Sequence, residues 1–306
     1  LSSFPTQHYR AVPWRAVLRM RLLAAVGLAL FIGVLSVVFL DLRDDKLPKG
    51  VANFRIYCFV SAICAGIVAL QYLAANLPKT FRLEQLNLQR KVQHIFTGLA
   101  LTQIFLLFSE KTCILALGAG SISLGSLQVA RYCSDAVNVE FLRCFGQMLK
   151  EEERTSRRPP AALYFLTGLF LCLISFPRRL TLLCTLVATL ADPLAAVGGV
   201  LLGGPRLLGG KTLSGSATCA VVAGSVAVAV VITDPSLAVS LSWADLISVG
   251  LLSGFMASTC ELLGGVSGYL DDNMLISFGT GLLLKAALAM ELVLGYHSPA
   301  LNLLLS

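Results

Sequence analysis

Residues 180–216 read LTLLCTLVATLADPLAAVGGVLLGGPRLLGGKTLSGS, and this stretch decides how the rest of the chain is read. It opens as an apolar run of the length that crosses a bilayer, about 17–25 residues. Asp192 lies inside that run, and Gly199, Gly203, Gly204, Gly209 and Gly210 follow it, ahead of Lys211, Thr212, Gly215 and Ser216. An ionisable group in such a segment is expensive, so its default reading is functional. Glycines let the backbone approach a ligand closely, and a lysine just before a new helix can meet an anion there. Pro193 adds a structural reading. Asp is a good N-cap and Pro is favoured at the first helical position, so the pair predicts a helix that breaks at Ala191 and restarts at Pro193. Ala195, Gly199 and Gly203 then share one face and permit close packing.

Outward from this stretch the composition is uniform. Of 306 residues 56% are apolar and 13% charged, with mean hydropathy +0.79. A soluble domain carries roughly 25% charged residues. Apolar runs at 22–40, 56–75, 94–108, 112–130, 161–176, 180–203, 217–233, 243–264 and 273–294 predict an all-α, polytopic integral membrane bundle. It has about nine transmembrane helices, one of them broken. The segment 134–149 is amphipathic and is expected at the interface. The organisation is a basic tail over 1–21, two N-terminal spans within 22–80, and a bundle over 88–295 in which polar residues fall in patterned places.

The net charge of +7 reports topology rather than nucleic-acid binding. With the N-terminus inside, the inner segments hold sixteen Lys and Arg and the outer ones seven, in keeping with the positive-inside rule. Arg178 and Arg179 fall on the outer face and go against it. Nine cysteines are scattered with no C-x-x-C pair and no zinc spacing, and read as small buried apolar residues. Residues 1–40 contain no acid, which suits either an organelle-targeting presequence or charge that orients the first span.

Five constellations carry chemistry. Lys91, His94 and Gly98, with Arg90 beside them, share one helix face. They can hold a phosphate, or can simply sit wet among headgroups. Gly209-Gly210-Lys211-Thr212 has the tail of a P-loop, but Pro205 stands where the pattern needs glycine and no strand precedes it. Backbone N–H groups and an ammonium can still gather about a polyphosphate. Glu261 and the pair Asp271-Asp272, followed by Asn273, can hold magnesium, which needs only one or two carboxylates once phosphates are bound. As the blander alternative, Asp271 or Asp272 caps the last span. Arg154, Arg157 and Arg158, followed by Tyr164, form a basic patch that can contact phosphate or serve as a solvated loop balanced by Glu151–Glu153. Lys285 and Glu291 lie toward the other face and read as snorkelling or paired, while His8 and His297 carry no signal.

Four of these patterns, in order, resemble the CTP-dependent polyprenol kinases, a family of phytol, farnesol and dolichol kinases with a yeast-type diacylglycerol kinase. They are R-K-x-x-H at Arg90, Lys91 and His94; D-x-x-A-x-x-x-G-x-x-x-G at Asp192, Ala195, Gly199 and Gly203; K-[ST]-x-x-G-S at Lys211, Thr212, Gly215 and Ser216; and E followed by D-D-N at Glu261, Asp271, Asp272 and Asn273. The chain departs from the pattern at Pro193, where the family has a small residue, and at Leu213 and Ser214. The D-D-N ending resembles the phytol and farnesol kinases more than dolichol kinase.

The resemblance implies transfer of the γ-phosphoryl group of CTP to an isoprenoid alcohol drawn from the bilayer, with membrane lipid as surroundings and Mg2+ as cofactor. Catalytic residues are then Asp192, Lys211, His94 and Asp272. Lys91, Gly199, Gly203, Gly210, Lys211, Thr212, Gly215, Ser216 and Arg158 bind the nucleotide. Asp192, Asp271, Asp272, Asn273 and Glu261 are the expected metal ligands. The expected location is an organelle membrane, the plastid's first and the endoplasmic reticulum's as the alternative. A diacylglycerol kinase, a cytidylyltransferase forming a CDP-lipid, and a secondary transporter with an acid in a broken helix are the competing readings. Span counting places all the polar clusters on one face. In a variant otherwise free of cysteine, Lys91→Cys, Arg157→Cys, Gly210→Cys and Gly268→Cys should each react with an impermeant thiol reagent from one side of the membrane. Lys46→Cys and Ser236→Cys should react only from the other. Labelling of positions 91 and 210 from opposite sides refutes the arrangement.

Overall fold

The computed structural model describes residues 88–146, 149–233, 241–266 and 271–294. The basic tail and the spans expected at 22–40 and 56–75 lie outside the described residues. Those described are helical, with no strand and only an isolated bridge between Arg206 and Thr212. The helices are α1 (Leu88–Leu107), α2 (Glu110–Cys133), α3 (Asp135–Phe145), α4 (Glu151–Thr155), α5 (Ala161–Ser175), α6 (Arg178–Leu202), α7 (Leu213–Thr233) and α8 (Trp243–Val266). The last, α9, opens as Asp272–Met274, passes through a π-helical segment Leu275–Gly279 and continues as Thr280–Leu294.

Five of these are long and apolar enough to cross a membrane, as an integral membrane protein requires: α2, α6, α7, α8 and the Asp272–Met290 part of α9. Helix α5, at 15 residues, is apolar but short of a span. Local signals set several starts. Ser109 and Ser134 accept the Thr112 and Val137 N–H groups as N-caps of α2 and α3. Pro160 and Pro177 precede α5 and α6, where a missing N–H costs nothing.

Helix α6 is the central element. Buried residues make up 67% of its apolar stretch, against 39% at most in the other four long helices. Helices α1 and α7 pack along it, α8 packs on α7, and α5 lies between α2 and the start of α9. The expected break at Asp192 is not there. Helix α6 runs unbroken through Pro193, and Asp192 is not a cap. Pro193 forfeits one backbone bond. The carbonyl so freed is that of Thr189, and a helix buried among neighbours tolerates the loss. The interruption falls later. Gly203, at φ 66°, ends α6, and a 3-10 turn at Leu208–Gly210, with Gly209 and Gly210 at φ 63° and 76°, leads to α7.

Outward-facing Leu115, Ile122, Val221, Leu251 and Phe255 are each at least 66% exposed. Such a surface suits hydrocarbon rather than water. With lipid outside, helix association depends on close packing rather than on apolar burial. The α7–α8 crossing shows it: a Cβ on Gly254 would stand 2.3 Å from the Ala220 carbonyl oxygen. Gly254→Ala therefore forces the helices apart and should destabilise the detergent-solubilised protein by about 1–3 kcal/mol. Gly125→Ala, where an added Cβ meets nothing within 4 Å, should leave the melting temperature unchanged. Equal melting of the two variants removes the argument.

Candidate functional site

The contacts bring the starts of α1, α5, α7 and α9 together with the ends of α2, α6 and α8. The ionisable residues collect at that end. Asp192, nearly two turns before the glycines of α6, accepts from Lys91 Nζ of α1 at 2.7 Å, and both residues are buried. Gly98 makes this approach possible, because a Cβ there would stand 2.0 Å from Thr189 Oγ1 of α6. On the same face His94 Nε2 donates to the Ala188 carbonyl at 3.0 Å, and its ring packs on Phe165 with centroids 4.6 Å apart. A neutral His94 thus keeps its free lone pair on Nδ1.

Lys211, between the 3-10 turn and α7, reaches Glu261 Oε1 at 2.8 Å and Asp272 Oδ2 at 2.9 Å. The other Glu261 oxygen accepts from Ser216 Oγ at 3.0 Å. Lys150, just ahead of α4, reaches Asp271 Oδ2 at 3.0 Å and Asp272 Oδ1 at 3.7 Å. Asp271 Oδ1 accepts the Asn273 N–H at 3.0 Å, so Asp271 is the N-cap of α9, and it also accepts from the Asn273 side-chain amide. The charge of Lys91 acts on Asp272, and that of Asp272 on Asp192, so the pairs form one electrostatic unit. Burial alone would lower the pKa of the Lys150 and Lys211 ammoniums. The facing carboxylates outweigh it and hold both above the ordinary lysine value.

The structure therefore gathers Lys91, His94, Asp192, Lys211, Ser216, Glu261, Asp271, Asp272 and Asn273. The glycines have packing and turn roles around them. Gly199 lies under Thr212, where a Cβ would stand 2.7 Å from Oγ1; the Gly215 N–H donates to that hydroxyl at 3.2 Å. The turn is closed on itself by Leu207 N–H to the Lys211 carbonyl at 2.7 Å and Leu213 N–H to the Pro205 carbonyl at 3.0 Å. Gly210 sits exposed in it. Arg158 is not part of the cluster: it pairs with Glu152 at 2.9 Å on an exposed surface. Among the described residues no three His, Cys, Asp or Glu side chains are gathered as a self-sufficient metal cage. The carboxylates are instead met by ammoniums. Asn273 Oδ1 is buried with no hydrogen-bond partner, a spare oxygen donor beside Asp271.

Two residues matter here that their sequence context does not advertise. Lys150 is one. The other is Arg131 near the end of α2, fully buried, which donates to Asn138 Oδ1, Gln128 Oε1 and the Glu153 carbonyl and stacks on Phe141 at 4.0 Å. It fixes α4, and α4 places Lys150. Arg178, against the charge rule in sequence, caps α1 at the opposite end by donating to the Phe105 and Phe108 carbonyls. Lys285 lies at that end too, donating to the Ser175 carbonyl at 3.2 Å.

Comparison of the chain with family models, with curated proteins and with solved structures finds no match in any of them.

Breaking a buried ion pair by removing one partner leaves an unanswered charge. Lys91→Met should cost about 3–5 kcal/mol of stability in detergent melts, while Lys91→Met/Asp192→Leu, which removes both charges, should recover most of it. A double variant as unstable as the single one would show that the pair does not act as a unit.

Proposed function

We propose that the chain is a CTP-dependent lipid-alcohol kinase, transferring the γ-phosphoryl group of CTP to the hydroxyl of an isoprenoid alcohol, phytol or farnesol before dolichol. The observation that carries this reading is the gathering of three lysines and four carboxylates at one end of an apolar bundle. Phosphoryl transfer asks little of a protein beyond positioning and charge neutralisation, and this set offers both signs of charge at short range. The choice of CTP and of an isoprenoid acceptor rests on the four sequence motifs. The acceptor's tail is apolar, in keeping with the lipid-facing exterior.

In this reading Lys211 and the turn before α7 take the polyphosphate. Mg2+ would be held by Asp192 and by Asp271 or Asp272, with Asn273 as a neutral ligand, and would offset charge on the phosphates. Glu261 orients Lys211 and Ser216. The alcohol oxygen attacks the γ-phosphorus, the bond to CDP breaks, and the alcohol proton passes to a base, either His94 through Nδ1 or an aspartate. In this reading the chain crosses an organelle membrane about nine times, α1 and the short α5 included.

Purified protein given CTP labelled in the γ-phosphate, with phytol, farnesol, dolichol and diacylglycerol in parallel, should yield labelled lipid phosphate and CDP in equal amounts. Release of pyrophosphate with CMP on the lipid identifies a cytidylyltransferase. Label on diacylglycerol alone identifies that kinase. No turnover with any acceptor, together with solute uptake in proteoliposomes, makes it a transporter.

Asp192→Asn should lower turnover by a factor of about 100 or more in the protein that remains folded, because it deletes a metal-facing charge while keeping hydrogen-bonding capacity; the stability cost of leaving Lys91 unpaired is read separately in detergent melts. Turnover within about threefold of wild type would confine Asp192 to its ion pair. Lys211→Ala should raise KM for CTP by roughly 10–100-fold, the loss of a charge-assisted contact worth about 1–3 kcal/mol, and should leave KM for the alcohol unchanged. A change in the alcohol KM alone would move the nucleotide site elsewhere.

A further inference from the structure

In sequence Lys150 is one orienting charge among six in its segment. In the structure its ammonium sits between two carboxylates, 3.0 Å from Asp271 Oδ2 and 3.7 Å from Asp272 Oδ1. A monovalent cation thus stands where two adjacent acids converge. Its backbone is fixed: the Lys150 N–H donates to Glu153 Oε2 at 2.8 Å, Glu153 Oε1 accepts the Ala161 N–H at 3.0 Å, and Arg131 holds the Glu153 carbonyl at 3.1 Å. Its side chain is not fixed to the same degree. It is 33% exposed, against 9% for Lys91 in the neighbouring pair. A lysine stem has four rotatable carbons, so the head can leave the carboxylates while the backbone stays in place.

Asn273 supplies an independent observation. The residue is 6% exposed, and its Oδ1 has no donor. Its Nδ2 donates to Asp271 Oδ1, the only orientation in which an amide can bond a carboxylate. The carbonyl end therefore stands beside Asp271 with an unused acceptor. Buried acceptors are satisfied in nearly all native structures, and one left without a donor calls for an ion or a water. Lys150 leaves it unanswered. Two carboxylates and an amide oxygen suit a hard divalent cation and leave coordination positions for water and a phosphate oxygen.

We propose that Lys150 is a placeholder for a divalent cation. Its ammonium neutralises Asp271, and shares Asp272 with Lys211, when no divalent cation is bound. It yields its place when one binds to Asp271, Asp272 and Asn273 Oδ1, and then turns to the anion that the cation brings with it. The exchange keeps Asp271 from standing unneutralised in either state. The last part, contact with the anion, rests on the polyphosphate reading above. The exchange itself does not.

The test uses the full chain in detergent with Mn2+ alone, read by electron paramagnetic resonance, and no nucleotide. Lys150→Met should bind one Mn2+ at least tenfold more tightly than wild type, because the competing ammonium is gone. Lys150→Met/Asp271→Asn should lose that gain, and Lys150→Arg, which keeps the charge, should bind as wild type does. Equal Mn2+ affinity in wild type and Lys150→Met overturns the proposal, as does a gain that survives Asp271→Asn. Should Lys150→Met fail to fold, wild type itself decides. Saturating Mn2+ should raise the rate at which a water-soluble amine reagent acylates Lys150 by severalfold, followed by mass spectrometry, and an unchanged rate overturns the exchange. Neither measurement involves CTP or turnover, so absence of kinase activity would refute the proposed function and leave this result standing.

Discussion

A carboxylate on a helix surrounded by hydrocarbon must be neutralised by something within reach of its side chain. Asp192 is in that position, at the heart of the most buried helix, and Lys91 meets it from a helix 101 residues away in sequence. The pair does not by itself favour folding, since withdrawing two ions from water costs about what their attraction returns. What it does is choose a partner. Of all the ways α1 can lie against α6, only one brings an ammonium to Asp192. Gly98 allows that one by letting the two backbones come together over Thr189. The same requirement recurs at Lys211, which ties the start of α7 to α8 and α9, and at Lys150, which ties α4 to α9. Charge pairing thus sets the register of helices whose apolar surfaces have little preference among neighbours.

The two ends of the bundle differ in kind. At one, cations meet carboxylates, with four acids against three lysines. At the other, Arg178 and Lys285 meet backbone carbonyls of α1 and α5 and have a capping role. Among the described residues, the cluster at the first end has one more carboxylate than lysines, and Asn273 Oδ1 there has no donor. Behind it stands Arg131, whose guanidinium bonds three partners and lies on Phe141; it connects α2, α3 and α4 and so supports Lys150 at second hand.

Much of this was legible in the sequence. Long apolar runs have a required length, so α2 and α5 to α9 fall within about four positions of the runs that predict them, while α1 starts six residues before its run and α4 answers to none. The grouping of Lys91, Asp192, Lys211, Glu261 and Asp271–Asn273 was legible too, because alternating spans return those positions to one face. Local rules misled at Pro193, where N-cap and first-turn preferences point to a break. Packing on α6 overrides them, and the real interruption waits for the positive-φ glycines. Lys150 and Arg131 were not legible as site residues. Their meaning lies in partners such as Asp271, 121 residues from Lys150, and a loop lysine with distant contacts looks like any other loop lysine.

The π-helical segment Leu275–Gly279 has a consequence for how this chain can change by insertion or deletion. A π turn holds one more residue than the α turn it replaces, and one residue of α-helix corresponds to about 100° of rotation. Deleting a single residue within 275–279 would restore a regular helix without disturbing Thr280–Leu294. Five residues of π turn advance the helix by about as much as four of α-helix, so that deletion would leave Asp271, Asp272 and Asn273 facing Lys150 and Lys211. A one-residue deletion in the regular part of α9 has no such slack and turns one side of the helix against the other by about 100°. This short segment should therefore be the place in α9 best able to accept the loss of a residue.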